Sequence, residues 1–411
     1  MKKHISSILF LFITCFANTQ SLDFIFEDSI STNRLIEFSS QNTYNSSALS
    51  NAFMSKFIYG GELNSELIND NSQKEFNVIG GEFDQKLSYY DGSLFKKYPN
   101  LGLTIAASDH NFISSSYKND LYNLVFKGNA NYLGDTLDFS YTHFQYLHYQ
   151  NYGIGVYDKR SFSYIRLGFV VGNSSTNFRF GKSVFNTNTL GDEIYFDAKV
   201  SGHTTLKDSS TNYLSKYGYG FALELNHNFI LKTQNGKKHI INFNISNLGS
   251  IFWNNKTTSY KIDSALTFSG IDYTDIKYYS NYETDAIADS IGLISTKRTV
   301  RESLPIKFLI QKVPFYSLTQ KWQPTFGFKS ILIPDYRPLV YAGIYFQPNK
   351  YVGLSSKLII GGFGGLRLGL NAKFWINDKI SLGISTLDFI GTTSNTFGKG
   401  KSANFFLSVK L

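Results

Sequence analysis

The sequence predicts an all-β protein whose strands form an antiparallel barrel across a membrane. Three observations predict this fold: an N-terminal export signal, strands of membrane-crossing length with strict alternation, and many aromatic but few charged residues. Of 411 residues, 17% are aromatic and 17% are charged, whereas soluble domains carry about 25% charged residues. Strands that touch lipid on one face have this composition.

The first nineteen residues have the layout of a secretory signal peptide. Lys2 and Lys3 form a basic start, residues 5–16 form an apolar core, and the small residues Ala17 and Thr19 follow. Charge, length and a small-residue end in this order favour cleavage after residue 19. The alternative is a short N-terminal helix of the mature fold.

The single cysteine, Cys15, lies inside this predicted signal. After cleavage the mature chain has no thiol, which excludes a disulfide framework and a cysteine-based metal site. Lipidation of Cys15 is the alternative, but Thr14 stands where a lipidation motif has Gly or Ala.

Alternation with a period of two dominates the remaining chain. From Leu366 to Ile376 every second residue is apolar, while Arg367, Asn371 and Lys373 lie on the other face. Eleven such residues match the 9–11 of a tilted membrane strand. In a soluble sandwich the apolar face would pack on a second sheet. Together with the signal peptide, strand length favours lipid, and hence the outer membrane of a Gram-negative bacterium.

Turn residues separate the alternating segments. Asn235-Gly236 predicts a tight hairpin, and residues 348–350, 363–365 and 377–378 also predict short turns. The sequence therefore predicts a barrel over residues 51–411, with an up-and-down meander from Thr325 to Leu411 that has almost no insertions. Residues 20–50, rich in Ser and Asn, predict an N-terminal cap or plug.

Two segments depart from the strand pattern. Residues 108–138 contain Tyr117, Leu121, Leu124 and Val125 at helical spacing, which predicts a short helix. Residues 269–303 lack alternation and predict the longest loop, on the extracellular side. Their acids permit Ca²⁺ binding, but the spacing is not that of a calcium loop, so a solvated loop is the preferred interpretation. These acids are Asp272, Asp275, Glu283, Asp285 and Asp289.

The last strand is predicted to close the barrel. Phe405, Leu407, Val409 and Leu411 alternate with mostly polar residues up to the end of the sequence. A free strand edge in hydrocarbon leaves backbone groups without partners, so this strand must pair with an early one. We expect that partner around Met54 to Glu62.

The sequence resembles outer-membrane barrels of Bacteroidota that are similar to the fatty-acid channel FadL and the secretion-associated barrel PorV. The passages that carry the resemblance are residues 121–129, 152–155 and 243–253, and the C-terminal meander. The resemblance implies a barrel of about fourteen strands. FadL-like proteins often have Asn-Pro-Ala near the N-terminus, and Asn45-Ser46-Ser47-Ala48 lacks the proline, so a FadL-type hatch is not implied.

The sequence contains no nucleotide-binding, zinc-protease or hydrolase motif, so it predicts no enzyme and no cofactor. Residues 361–365 are glycine-rich, but their place between strands favours a turn over a phosphate site. His143, His148 and the pair Asp109-His110 are interpreted as polar wall or loop residues rather than metal ligands. The candidate lumen-lining residues are Arg166, Glu224, Lys357, Arg367, Asn371 and Lys373. They line a solute path or form a static charge lattice.

The leading functional hypothesis is passive passage of a small or hydrophobic solute across the outer membrane. The alternative is a PorV-like scaffold or shuttle in secretion or cell-surface assembly. An apolar lumen with a lateral opening favours the first, and a plugged lumen with large ordered external loops favours the second. Expected partners are membrane lipid, lipopolysaccharide and the outer-membrane assembly machinery. The formal charge of +9 is scattered, which predicts no nucleic-acid site.

Overall fold

The computed structural model describes residues 25–26, 34–70, 75–95, 97–205, 215–234, 237–269 and 292–411. The predicted signal peptide, the Asn235-Gly236 turn and the acids between Asp272 and Asp289 lie outside these ranges. Among the described residues, no helix is long and apolar enough to cross a membrane.

The described residues contain nineteen strands, which we number in chain order. They are β1 Arg34–Ser46, β2 Phe76–Asp91, β3 Leu101–Lys118, β4 Thr136–Asp138, β5 His143–Asp158, β6 Ser163–Thr187, β7 Ile194–Thr204, β8 Gly218–Lys232, β9 Lys238–Trp253, β10 Thr258–Phe268, β11 Ile294–Lys297, β12 Val300–Ser303, β13 Lys307–Val313, β14 Trp322–Ile331, β15 Arg337–Phe346, β16 Val352–Gly362, β17 Arg367–Trp375, β18 Ile380–Thr386 and β19 Gly400–Lys410.

Fourteen of these strands form a closed antiparallel barrel, as predicted. Each wall strand pairs with the next wall strand along the chain, and β19 pairs with β1 from Lys410↔Leu35 to Gly400↔Asn45. The wall strands, in order, are β1, β2, β3, β5, β6, β8, β9 and β13 to β19. Closure leaves no strand edge that would expose unpaired backbone groups to lipid.

The two ends of the barrel differ. At one end, which we call the turn end, six connections of at most nine residues join the strands, and β1 begins and β19 ends there. The other end, the loop end, holds connections such as residues 47–75 and 119–142. It also carries helices α1 Asn51–Tyr59, α2 Ser65–Asp70, α3 Asn119–Lys127 and α4 Phe389–Thr393.

The outer face of the wall is apolar, as the alternation predicts. On β16, Leu354, Leu358 and Ile360 point outward with exposed fractions of 42%, 59% and 54%, while Lys357 between them is 4% exposed. The same alternation holds on β6, where Leu167 is exposed and Arg166 is buried. A barrel with an apolar outer band and a polar interior is the form that suits a bilayer.

The predicted closing partner of the last strand was wrong. Met54 lies in helix α1, which begins where the Ser50 side chain accepts a hydrogen bond from the Phe53 amide (3.2 Å), a standard N-cap. The strand that pairs with β19 is β1, Arg34–Ser46. Its serine and asparagine residues lie on both faces, so the hydrophobic alternation that reveals the other strands is missing.

Two parts of the segment predicted as a cap or plug, residues 20–50, lie in different places. Ile25 and Phe26 are buried at the turn end, whereas Arg34–Ser46 is a wall strand. The barrel therefore begins at Arg34 and not at residue 51. We call Ile25 and Phe26 the N-terminal strap.

The loop end carries the irregular elements. Helix α3 confirms the helix predicted within residues 108–138, although Tyr117 belongs to β3. Burial raises the pKa of Tyr122 in α3 to about 12, and its neutral hydroxyl donates to the Ile68 carbonyl (2.9 Å).

Strands β7, β10 and β11 extend the long strand β6 beyond the wall as an external sheet. Part of the predicted long loop is strand, because Ile294–Lys297 pairs with β10 and Val300–Ser303 pairs with β9.

The C-terminal meander is less regular than predicted, because α4 interrupts it between β18 and β19. The Asp388 side chain caps α4 by accepting from the Gly391 amide (2.8 Å). Beyond the end of β18, the Thr392 hydroxyl contacts both the Ser402 carbonyl (3.1 Å) and the Ser402 amide (3.2 Å). Helix α4 thus takes over part of the pairing that β18 gives to β19 nearer the turn end.

Candidate functional site in the barrel lumen

The six candidate lumen residues have inward positions on the wall strands. Arg166, Glu224, Lys357, Arg367 and Lys373 are each at most 7% exposed, and Asn371 is half-buried. Arg166 and Glu224 come together as an ion pair of 3.1 Å. The structure also groups Arg166, Asn371 and Lys373 around one cavity, while Lys357 and Arg367 lie elsewhere in the lumen.

Glu224 on β8 is the shared acceptor of the first charge cluster. Its carboxylate binds the guanidinium of Arg166 and the ammonium of Lys86, and it accepts from the Tyr164 hydroxyl at 2.9 Å. Arg166 also donates to the Thr104 hydroxyl (2.7 Å). A buried carboxylate with several donors is held in place because losing one donor leaves a charge unpaired in a low-dielectric interior.

A second charge cluster lies next to the first on β2. Glu82 pairs with Lys329 (2.6 Å) and Lys307 (2.7 Å). Asp84 pairs with Lys307 and with the ring of His110 (2.8 Å). We call the two clusters together the ion lattice.

The ion lattice joins opposite walls of the barrel. Six wall strands separate β2, which carries Glu82, from β14, which carries Lys329, in either direction around the barrel. Barrels of this size are wide enough to enclose a cavity or channel. Because Glu82 and Lys329 nevertheless meet, side chains bridge the lumen at this level and leave only a small cavity of about 40 Å³ among them.

From the level of the ion lattice toward the loop end, buried apolar side chains occupy much of the lumen. Seventeen buried residues form one cluster, which we call the apolar plug: Val78, Phe112, Leu147, Tyr149, Val170, Ala222, Ile251, Trp253, Leu304, Leu309, Ile331, Tyr336, Leu339, Tyr341, Ile359, Phe363 and Leu387. They pack on one another and are almost inaccessible to solvent. The apolar lumen residues therefore form a packed core, with a small cavity of about 30 Å³ beside Tyr336, Leu339 and Phe363.

Two loop-end turns contribute to the apolar plug by folding inward. The Phe363 ring lies over Gly80, where an added Cβ would come within 2.4 Å of the ring, so glycine is needed at that point. Phe363 also meets Tyr336 edge-on at 5.1 Å. Next to Tyr336, the Asp335 carboxylate makes a buried hydrogen bond with the ring of His143, which ties the β14–β15 turn to β5.

A network around Glu302 covers the plug near the external sheet. Its carboxylate accepts from the Ser175 hydroxyl (2.6 Å), the Trp253 indole (2.8 Å) and the Gln145 amide (3.0 Å), with His203 at 3.4 Å. These partners lie on β6, β9, β5 and β7. The network therefore fixes the external sheet to the barrel.

Between the ion lattice and the turn end lies a cavity of about 110 Å³, which we call the turn-end cavity. The N-terminal strap lies at its outer side. Ile25 lines the cavity, and the Phe26 amide donates to the Pro314 carbonyl while its carbonyl accepts from the Tyr316 amide, both at 2.9 Å. Six wall strands separate β1 from β13 in either direction, so the strap is attached opposite the strand that follows it in sequence.

Sequence reasoning missed Glu82, Asp84 and Lys86, although they stand at positions i, i+2 and i+4 of one strand. Three charged residues with a period of two indicate a lumen-facing strand, so the signal was present. Their partners Lys307 and Lys329 give no such signal, because only the curvature of the barrel brings them to β2. Among the described residues, no group of three His, Cys, Asp or Glu side chains has the arrangement of a metal site.

The model of the family described as "Family of unknown function (DUF5723)" matches residues 28–378. The chain belongs to this family. No curated protein matches the sequence of this DUF5723 member.

Solved structures with a similar barrel include the P. putida toluene transporter TodX, at 9% identity and a TM-score of 0.38, with 93% of this chain and 90% of that chain covered. A Pseudomonas aeruginosa FadL homologue matches at 8% identity and a TM-score of 0.37, with 92% and 89% covered. The translocator domain of the autotransporter NalP from Neisseria meningitidis matches at 10% identity and a TM-score of 0.30, with 93% and 89% covered. The likeness concerns the kind of fold, which resembles bacterial outer-membrane barrels, FadL-like ones among them.

Proposed function

We propose that this protein is an outer-membrane barrel with a closed lumen that acts as a scaffold at the cell surface. The observation that carries the proposal is the contact between opposite walls through the ion lattice, with the apolar plug above it. In outer-membrane barrels the short turns are periplasmic and the long loops extracellular. On this rule the loop end, with its helices and external sheet, faces outward.

The energetics favour a lumen that stays closed. Burying one large apolar side chain stabilises a fold by about 1.5–3 kcal/mol, so unpacking all seventeen residues of the apolar plug costs on the order of tens of kcal/mol. The Glu302 network further fixes the external sheet against β5, β6 and β9. An ordered external sheet above a filled lumen is the arrangement expected of the scaffold hypothesis.

The experiment uses single cysteines, because Cys15 lies in the predicted signal peptide. Lys199 lies on the polar face of the external sheet with a side chain 62% exposed, and Thr396 is exposed in the loop between α4 and β19. If a partner docks on the sheet, Lys199→Cys reacts with an impermeant maleimide more slowly in intact cells than in purified protein, relative to Thr396→Cys. Equal relative rates in both preparations would count against a docked scaffold.

Passage of a small or hydrophobic solute is the second candidate function. The turn-end cavity favours it, because it shows that the lumen below the ion lattice has room for a small molecule. The test is swelling of liposomes that contain the purified protein in solutions of small neutral solutes. Swelling above protein-free liposomes supports passage, and no difference supports the closed barrel.

A further inference from the structure

A group of polar side chains interrupts the apolar outer face of the wall on β1, β2, β3 and β5. Gln85, Asp109 and Gln150 lie opposite one another on the neighbouring strands β2, β3 and β5. Gln85 points away from the lumen, because Asp84 and Lys86 on either side of it belong to the ion lattice. With three further outward residues they form what we call the outer polar patch: Asn42, Gln85, Asp109, Asn111, His148 and Gln150.

The outer polar patch lies at a depth where another part of the wall is apolar. Counted from the turn end, Gln85 is the seventh residue of its strand, and Asp109 and Gln150 are the ninth residue of theirs. The seventh and ninth residues of β16 are Leu358 and Ile360, which are 59% and 54% exposed. A tilted strand crosses the hydrocarbon in about 9–11 residues. In a bilayer that covers Leu358 and Ile360, the patch therefore faces hydrocarbon as well.

Part of the patch is hydrogen-bonded within the chain, but its lowest member is not. The Asp109 carboxylate contacts the ring of His148 at 3.0 Å and accepts from the Asn111 amide at 3.2 Å. The partly exposed side chain of Gln85 makes no hydrogen bond with any residue that the structure describes. Polar side chains at membrane depth are costly unless they bind another polar group. The patch therefore indicates a polar partner within the membrane.

The chemistry of the patch favours a second copy of the same chain over lipid. None of its residues is Lys or Arg and Asp109 is an acid, so the patch does not match the phosphate groups of lipopolysaccharide. A primary amide both donates and accepts, so the Gln85 amides of two copies can bind each other. Two copies with the same orientation in the membrane are related by a twofold axis along its normal, which joins residues of equal depth. With the axis at β2, Asn42 of one copy lies beside Asp109 of the other, since each is the ninth residue of a strand next to β2.

We propose that the outer polar patch is the interface of a homodimer within the membrane, with Gln85 next to the twofold axis. Below the patch, Leu87, Ile105 and Ile154 point outward with exposed fractions of 48%, 43% and 57%, and they extend the contact toward the turn end as apolar packing. This inference does not depend on the scaffold function, because dimerisation requires neither a docked protein at the loop end nor a closed lumen.

The test is disulfide crosslinking of the full-length protein in outer-membrane fractions. Leu87→Cys places a thiol on the outer face of β2, two residues from Gln85, and leaves every residue of the patch unchanged. Leu358→Cys is the matched control, because it makes the same change at an exposed position of β16 (59%). We expect oxidation to give a covalent dimer of Leu87→Cys in a yield about tenfold above that of Leu358→Cys. Equal yields from the two variants would overturn the proposal.

A second substitution separates polar pairing from apolar packing. Gln85→Leu removes the amide but suits a lipid-facing position, so the barrel should still fold and remain heat-modifiable. In the Leu87→Cys background we expect Gln85→Leu to lower the yield of covalent dimer about tenfold, because the amide pair is lost. Gln85→Asn, which keeps an amide, should retain most of the dimer. An unchanged yield in folded Gln85→Leu would overturn the proposal that the patch holds the two copies together.

Discussion

Glu224 shows most clearly how single residues hold the lumen closed. Replacing it by Gln removes the carboxylate charge that Lys86 and Arg166 share in a buried place. Breaking buried pairs in this way costs about 3–5 kcal/mol. We therefore predict that Glu224→Gln lowers the free energy of unfolding by about this amount, measured by denaturant titration of the folded, heat-modifiable form on gels.

The matched control is Glu193→Gln, the same chemical change at an exposed position between β6 and β7. A surface carboxylate interacts mainly with water, so this variant should unfold like the original protein. If both variants unfold at the same denaturant concentration as the original protein, the charged contacts of Glu224 contribute no stability. The proposal that the ion lattice holds the lumen together would then be wrong.

Alternation predicted the inward direction of Arg166, Glu224 and Lys373, but it could not predict their partners. Glu82 and Lys329 are 247 positions apart, and nothing in either strand specifies that the two walls meet. A polar residue on a strand therefore indicates which side it faces. Whether it lines a path or a closed lattice depends on the diameter and curvature of the barrel.

At the scale of elements, the depth of a residue on a wall strand determines the effect of a charge. Leu358 lies in the middle of β16, and Leu366 lies just before β17 at the loop end; both point outward with exposed fractions of 59% and 72%. Leu358→Arg should cost about 2–4 kcal/mol at the midplane and Leu366→Arg about 0–1 near the interface. Refolding into lipid vesicles at several urea concentrations measures both, and equal costs would contradict the proposed bilayer position.

The terminal strand β19 is predicted to be essential for assembly. It pairs with β1 on one side and with β18 on the other, so deleting residues 405–411 opens the wall and exposes backbone groups to lipid. We expect no heat-modifiable protein in the membrane fraction and degraded or aggregated periplasmic protein. Deleting only Leu411, which contributes one backbone hydrogen bond to Arg34 (3.0 Å), should leave assembly intact.

The elements predicted best are those with one lipid face and one lumen face, such as β16 and β17. The first strand was missed because Ser40 and Asn42 occupy its outward positions, which makes both of its faces polar. Helix α4 was missed because it is only five residues long and is capped by Asp388 within a segment interpreted as meander. Short elements and polar strands carry too little periodic signal to be recognised without their neighbours.

At the scale of the whole molecule, the orientation in the membrane follows from the asymmetry of the two ends. Asp378 lies in the short turn between β17 and β18 at the turn end, whereas Thr396 lies at the loop end. An impermeant maleimide should therefore label Thr396→Cys in intact cells and Asp378→Cys only after the outer membrane is permeabilised. The reverse pattern would place the external sheet in the periplasm and remove the basis of the scaffold proposal.

The barrel class followed from strand length, composition and hairpin order, and the strand number of about fourteen followed from the resemblance to FadL-like and PorV-like barrels. Neither the sequence pattern nor the resemblance predicted whether the lumen is open or closed. A lumen face of Gly, Ser, Asn and charged residues suits an aqueous channel as well as a hydrogen-bonded interior. Two features of the three-dimensional structure favour the hydrogen-bonded interior over the aqueous channel. They are the inward turns at Tyr336 and Phe363 and the ion pairs between opposite walls.

The most direct test of the closed lumen is the electrical conductance of the purified full-length protein in planar lipid bilayers. The ion lattice and the apolar plug predict that the bilayer stays at the baseline of protein-free membranes, even when insertion is verified by recovery of heat-modifiable barrel from parallel vesicles. A steady, stepwise conductance from the unchanged protein would contradict the account, because ions would then cross a lumen in which Glu82 and Lys329 are in direct contact.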